Sequence, residues 1–480
     1  MDFLKKININ TSFKEKVKYL VYLFLGFQLL SIIGDNFVLV SQFFFLVFIA
    51  LTIWLTWKKL EFGLLILVFE FLAGHGGHLF EFMGLSIRST IFMVVLIVWF
   101  IKKIKTKDFN FSRFFQSPIL ITYLLFLILI FVGFLNGVIS GNGILALKDV
   151  INYSFFLLVL PLLDVVSKGK FLKNLFLVII AGIIGITIET FIVFLLFAFS
   201  LSQVHDVFYW WWRDLAIGKA TFTKDNFFRI VSPAHLFVLP VFITFLSLII
   251  AKFKKGFQKK YLIILALLLS FCLLLNFSRA YFLGVLIGLI VLKVGTRFKK
   301  WLLFSVIVIL LMVVQFGVLF GIASGGDVLE GAGFLKNRME TLTKPQDELS
   351  SLTRLVILPD LLSQIYDVPI FGHGLGSKVG YPDPLSGEYK HTFHIDWGYL
   401  EIWLELGFLA LILYFTLLTM IFCKAYKIAK RSVSLFKKRL YFGIGAGLVA
   451  LFVASLAGPF LFHPLGILYI VLSLIFVVNA

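Results

Sequence analysis

Residues 301–320 read WLLFSVIVILLMVVQFGVLF, twenty positions without a charge, directly after Lys299 and Lys300. The apolar residues run continuously. A membrane β-strand would alternate apolar and polar side chains over about ten positions. A helix crossing the hydrocarbon core needs about 20 apolar residues in a row. In lipid the backbone must satisfy its own hydrogen bonds, which leaves only helices and closed barrels. This stretch therefore reads as a membrane-spanning helix.

The pattern recurs along the chain. The sequence is 60% hydrophobic and 14% charged, with 59 Phe among 480 residues. Soluble proteins have roughly 45–50% apolar and about 25% charged residues. Apolar runs lie at 17–33, 36–56, 61–75, 85–101, 118–136, 150–166, 174–199, 233–251, 261–276, 280–294, 301–320, 399–422, 441–457 and 463–478. The expected fold is an all-α polytopic membrane protein, 1–480 forming a single integral membrane domain of about 12–14 spans. The first run is expected to stay, because no small-residue cleavage site follows it. Cys272 and Cys423 are too few for a disulfide framework.

Charge gives the orientation. Short cytoplasmic loops collect Lys and Arg. With the N-terminus inside, the cytoplasmic segments are 1–16, 57–60, 102–117, 167–173, 252–260, 295–300, 423–440 and the C-terminus. Allowing two residues of slack, they hold 31 of the 44 Lys and Arg residues. Both termini are thus expected in the cytoplasm. The net charge of +19 is mostly a topology signal. Nucleic-acid binding would need a basic soluble domain, and none is evident.

This topology sends two long loops outside, 201–232 and 321–398. The first carries Phe208-Tyr209-Trp210-Trp211-Trp212-Arg213, which reads as an interfacial aromatic belt or as a stacking platform for a sugar or lipid. The second contains an amphipathic stretch from Ser350 to Tyr366. Phe371-Gly372-His373-Gly374-Leu375-Gly376 follows, either a sharp turn or a phosphate-wrapping loop. His391-Thr392-Phe393-His394-Ile395-Asp396 then leads into the next span, with Glu401, Glu405 and Gly407 on its first turns. On a helix, His391 and His394 would share a face. Two histidines and one carboxylate are few for a zinc site, whereas histidine suits acid–base work near neutral pH.

Arg279 sits in Asn276-Phe277-Ser278-Arg279-Ala280, a very short connection between spans. An arginine at a membrane boundary is costly and marks a functional site unless it snorkels to the headgroups. The topology puts Arg279 on the same outer side as Arg354 and His394. Two arginines and a histidine there suit an anionic ligand, since Arg grips phosphate oxygens bidentately.

These residues, in order, resemble the bacterial O-antigen ligase and O-antigen polymerase superfamily. Ser278-Arg279-Ala280 opens an apolar span like the family's Ser-Arg. Arg354 with the segment to Gly376 is similar to its arginine, amphipathic helix and Pro-x-x-Gly-x-Gly ending. His394 through Tyr399-Leu400 to Glu405-x-Gly407 is similar to its histidine, Tyr-Leu and Glu-x-Gly. Asp396 stands where the family often has the histidine, so His394, His391 and Asp396 all remain candidates for the active group, with His394 first. The resemblance covers about 265–425. It implies transfer of a glycan from a polyprenyl diphosphate carrier to a glycan, lipid A-core or protein hydroxyl, in the bacterial cytoplasmic membrane with the active face outside. It implies His394 and Asp396 as catalytic and Arg279 and Arg354 as diphosphate-binding; beside these, His391, Arg338 and Arg213 are candidate accessory residues. No metal, cofactor or nucleic acid is expected, and membrane lipids are. A polytopic transporter or lipid flippase is the reading from another class. It would use ionisable residues inside spans, such as Glu70 and Glu189, with Glu61 at an end.

Overall fold

The computed structural model describes residues 11–107, 115–166, 169–200, 208–251, 259–294, 296–326, 331, 333, 349–393 and 395–480. Each of the fourteen apolar runs contains helix, although the fourth begins on the strand Leu85–Ser86. The chain runs α1 (Thr11–Asn36), α2 (Val38–Lys58), α3 (Leu60–Ala73), a short hairpin of β1 (Glu81–Phe82) and β2 (Leu85–Ser86), α4 (Ile87–Thr106) and α5 (Pro118–Ile139). Then come α6 (Ile144–Ser154), continued by a 3₁₀ turn into α7 (Val159–Val165), and α8 (Gly169–Ala198). A hairpin of β3 (Lys219–Lys224) and β4 (Phe227–Val231) precedes α9 (His235–Ile250), α10 (Lys259–Asn276), α11 (Arg279–Val291) and α12 (Phe298–Ser324). The last part holds α13 (Leu349–Asp367), β5 (Val379–Pro382), β6 (Tyr389–Thr392), α14 (Gly398–Arg431), α15 (Leu435–Ala454) and α16 (Pro464–Val478).

Among the described residues, nine helices are long and apolar enough to cross a membrane. His235–Ile250, Arg279–Val291 and Pro464–Val478 are apolar but shorter. Side chains such as Leu310 and Val314 on α12 stay exposed, as expected where lipid is the solvent. The bundle is a multi-pass membrane protein.

Close helix packing centres on α15, which touches α9, α11, α14 and α16. Lipid gives no hydrophobic drive between helices, so small residues that admit close backbone approach are favoured there. A Cβ on Gly443 would come within 2.9 Å of the Thr244 Cα, and one on Gly447 within 2.6 Å of the Pro240 carbonyl. Gly284 of α11 faces the Ala450 carbonyl in the same way, at 2.9 Å.

The amphipathic stretch in 321–398 is α13. Ile357, Leu361 and Ile365, spaced by one turn, are buried with Val379, Ile395 and Leu404 in a small second core. This core fastens α13 to the β5–β6 hairpin and to α14. The glycine-rich segment then hooks α13 to the bundle. Gly372, Gly374 and Gly376 have φ of +70°, +95° and +75°, the left-handed region that glycine enters freely. The Leu375 N–H donates to the Gly133 carbonyl at 2.9 Å, and His373 and Gly374 N–H donate to the Leu404 and Glu405 carbonyls at 2.7 and 3.0 Å. Gly376 N–H donates to the Glu405 carboxylate at 3.1 Å. These amides are spent on the fold, so the segment is a docking turn and not a phosphate loop. Gly407 answers it on α14, with φ +82° breaking the helix there so that Phe408 N–H reaches the Pro369 carbonyl at 2.9 Å.

Candidate functional site

The connection around Arg279 is built by a buried aromatic. Phe277 has φ +50°, a conformation uncommon for a side-chain-bearing residue. Its ring is fully buried and stacks on Phe316 at 5.2 Å. The chain therefore reverses sharply after α10, Ser278 takes the N-cap position, and Arg279 becomes the first residue of α11.

Arg279 opens into a cavity of about 670 Å³ whose lining also includes Arg354, Asp396, Arg229, Ser351 and His463. Arg279 Nη2 donates to Ser351 Oγ at 2.9 Å. Arg354 Nη2 lies 3.2 Å from Asp396 Oδ2. Trp397 Nε1 donates to the Arg354 carbonyl at 3.0 Å, pinning α13 to the start of α14. Sequence segments far apart thus place both expected arginines and Asp396 in one space. Phe282, Leu283 and Leu286 of α11 form an apolar flank of it, with Leu283 and Leu286 partly exposed.

Other expected residues lie elsewhere. His391 is on β6, exposed, with its ring edge-on to Tyr389 at 5.5 Å. A strand residue does not share a helix face with His394, so that expectation is corrected. Arg213 is exposed, paired with Asp214 at 2.8 Å and stacked over Trp210 at 4.3 Å. Neither is among the cavity's lining residues. His394 and Arg338 lie outside the described residues. The aromatic run is split: Trp210 stays exposed, whereas Trp211 and Trp212 are buried against His75. These two tryptophans are core, not belt or platform, because Trp211 Nε1 finds a buried acceptor in Ser31 Oγ at 3.0 Å.

Glu70 and Glu189, read as transporter candidates, are engaged in pairs. Glu70 meets Arg88 Nε at 2.7 Å, both 2% exposed. Glu189 meets His75 Nε2 at 2.6 Å. Among the described residues no three His, Cys, Asp or Glu side chains gather as a metal-ligand set.

Three cavity residues escaped the sequence reading. His463 is the N-cap of α16, its Nδ1 accepting the Leu465 N–H at 3.3 Å. Lys219 and Arg229 come from the β3–β4 hairpin. Thr221 pairs with Arg229 and Lys219 with Val231, and all four line the cavity. The alternate residues Phe228 and Ile230 face the core, Phe228 against Phe197 and Ile230 fully buried. The signal was present: period-two alternation on either side of Asp225-Asn226, both at positive φ, the turn chemistry of a two-residue hairpin. Burial pushes the Arg229 guanidinium below its ordinary pKa, and the charges of Arg279 and Arg354 push the same way. The guanidinium stays charged, so the cavity is strongly electropositive.

Residues 264–415 match the family model described as O-antigen ligase. Over this segment, about a third of the chain, the protein is similar to the O-antigen ligase/polymerase superfamily. The segment contains Arg279, Arg354, Asp396 and the glycine hook. No curated protein matches the chain. Glycosyl transfer of the O-antigen ligase/polymerase type is the activity this similarity supports.

Proposed function

We propose that the protein transfers a glycan from a polyprenyl diphosphate carrier to an acceptor hydroxyl, as an O-antigen ligase-like enzyme of the bacterial cytoplasmic membrane. The observation that carries this is the convergence of Arg279, Arg354 and Asp396 on one cavity with an apolar flank. A lipid-linked diphosphate has both an anionic head and an apolar tail.

The acceptor oxygen attacks the anomeric carbon. The bond from that carbon to the phosphate oxygen breaks, and the lipid diphosphate leaves with the electron pair. Negative charge grows on the leaving group, and Arg279 and Arg354 stabilise it where it develops. His394, two residues before Asp396, accepts the acceptor hydroxyl's proton as general base. A diphosphate is already an activated leaving group, so the reaction proceeds without a divalent ion.

The cavity works at the extracytoplasmic face. Supporting this, the cavity gathers the turn before α11 and the approaches to α14 and α16, while the basic segment between α14 and α15 lies at the opposite end. There Lys437 Nζ meets the Ala480 carbonyl at 3.4 Å, which fits a cytoplasmic C-terminus under the positive-inside rule.

The test is reconstitution with a lipid diphosphate glycan and glycan, lipid A-core or protein acceptors. Arg279→Ala and Arg354→Ala should lose transfer while keeping the fold. Loss of carrier translocation with transfer intact would favour the transporter.

A further inference from the structure

Arg229 is held differently from the other two arginines. Its Nε donates to the Asn276 carbonyl at 2.7 Å, one of the carbonyls at the C-terminal end of α10 that lack a helical partner. Its two terminal nitrogens have no partner among the described residues. Arg354 is tied through Nη2 to Asp396, and Arg279 through Nη2 to Ser351. Arg229 therefore presents an open fork to the cavity, aimed by a single backbone bond.

The bracket behind it is rigid. The Asn276 amide donates to His235 Nδ1 at 3.1 Å, and the Ser232 N–H approaches the same nitrogen at 3.4 Å. With Nδ1 accepting, the His235 proton sits on Nε2 and points at Thr190 Oγ1, 2.8 Å away. The Thr190 hydroxyl donates in turn to the Ile186 carbonyl at 2.7 Å, so it is free to accept. Ser232 Oγ continues the chain to His75 Nδ1 at 3.0 Å, and His75 to Glu189. From Asn276 through His235 to Thr190 and the Ile186 carbonyl, each contact pairs a donor with an acceptor, and a chain paired in this way favours one arrangement of its members.

Charge then indicates the ligand. Arg229, Arg279, Arg354 and Lys219 bring four positive charges to the lining, and Asp396 returns one negative. A diphosphate diester, with one negative charge on each phosphate, offsets more of the surplus of three than a phosphodiester, which carries one.

We infer that Arg229 is a third anion-binding residue, and that it makes this cavity prefer a diphosphate over a monophosphate. The inference rests on the donor site described under Proposed function and specifies it.

The experiment uses the full chain in detergent micelles or nanodiscs, titrated with inorganic pyrophosphate and, separately, inorganic phosphate. Wild type should bind pyrophosphate more tightly. Arg229→Gln should weaken pyrophosphate about tenfold, the order expected for losing a charge-assisted contact, and phosphate much less, so the preference collapses. Arg229→Lys keeps the charge without the fork and should fall between; it also serves if the Gln variant folds poorly. Unchanged pyrophosphate affinity in both variants, with Arg354→Ala still inactive in transfer, would overturn the role of Arg229 and leave the proposed function standing. Wild type that binds neither anion, together with Arg354→Ala that still transfers glycan, would overturn both.

Discussion

Arg354 and Asp396 meet at 3.2 Å across the whole of the glycine hook and the β5–β6 hairpin. Arg354 is 23% exposed and Asp396 59%. A pair so open to solvent contributes under about 1 kcal/mol to stability. Its importance is positional: it aims an arginine on α13 into a cavity whose other walls belong to the β3–β4 hairpin, α9, α11 and the loop before α16. Arg354→Ala should reduce transfer at least about 100-fold, as loss of a preorganised charge on the leaving group does. Asp396→Asn should reduce it less and leave the melting temperature within about 2 °C, given so small a stability term. Reconstituted transfer assays and thermal unfolding in detergent measure the two effects. A melting temperature that drops sharply in Asp396→Asn would mean the pair is structural.

Two glycines separate docking from simple turn chemistry. Gly374 has φ +95°, and a Cβ there would overlap the Gly137 backbone of α5. Gly387, between β5 and β6, has φ +70° with open space around it. Gly387→Ala should cost roughly 1 kcal/mol of local strain. Gly374→Ala adds a backbone collision to that strain and should release the hook, exposing 368–378 to protease and removing transfer. If both variants behave alike, the hook does not hold α13 in place.

The β5–β6 hairpin has its own pH limit. Lys390 hydrogen-bonds the Asp383 carboxylate and holds its pKa below the ordinary value of 3.8, aided by the Leu385 N–H and the Ser386 hydroxyl. A carboxylate depressed in the folded state stabilises above its unfolded pKa, and the contribution is lost as pH falls through the folded value. Hydrogen exchange over 379–392 should be flat with respect to this group from pH 5 to 8 and accelerate only below pH 3.8. Loosening that begins near pH 6 would point to a histidine instead.

The sequence made the helices legible because a membrane span needs some twenty apolar residues, too long a signal to miss. Arg279 was legible for the matching reason: a charge at a membrane boundary must have a purpose. Arg88, next to Ile87 at the start of α4, satisfies the same rule and could have been found by it. Arg229 was hidden by scale. Its hairpin, 219–231, is only thirteen residues, and the adjacent tryptophans read as an aromatic belt, although Trp211 and Trp212 pack inward. His391 was misplaced because two histidines three apart suggest a helix face, whereas Pro382, Pro384 and Gly387 impose a hairpin. Which distant segments share the cavity is tertiary information that no local pattern encodes.

The Glu70–Arg88 pair offers the sharpest stability test. Both side chains are 2% exposed, and Arg88 Nη2 also donates to the His75 carbonyl at 2.8 Å. The Arg88 guanidinium lies over the Phe71 ring at 4.9 Å. Removing one partner leaves an uncompensated buried charge, which costs about 3–5 kcal/mol, whereas replacing both with apolar residues of similar volume is often neutral. Arg88→Met alone should therefore strongly destabilise the protein, and so should Glu70→Leu alone. The double variant Glu70→Leu, Arg88→Met should recover most of the loss, because neither charge is then stranded. Thermal unfolding of the four proteins closes a double-mutant cycle. Recovery of stability without recovery of transfer would assign the pair a further duty, since Arg88 also carries the His75 carbonyl and so sits at the head of the polar run that ends on Arg229. Additive losses in the cycle would instead show that the two charges do not depend on each other.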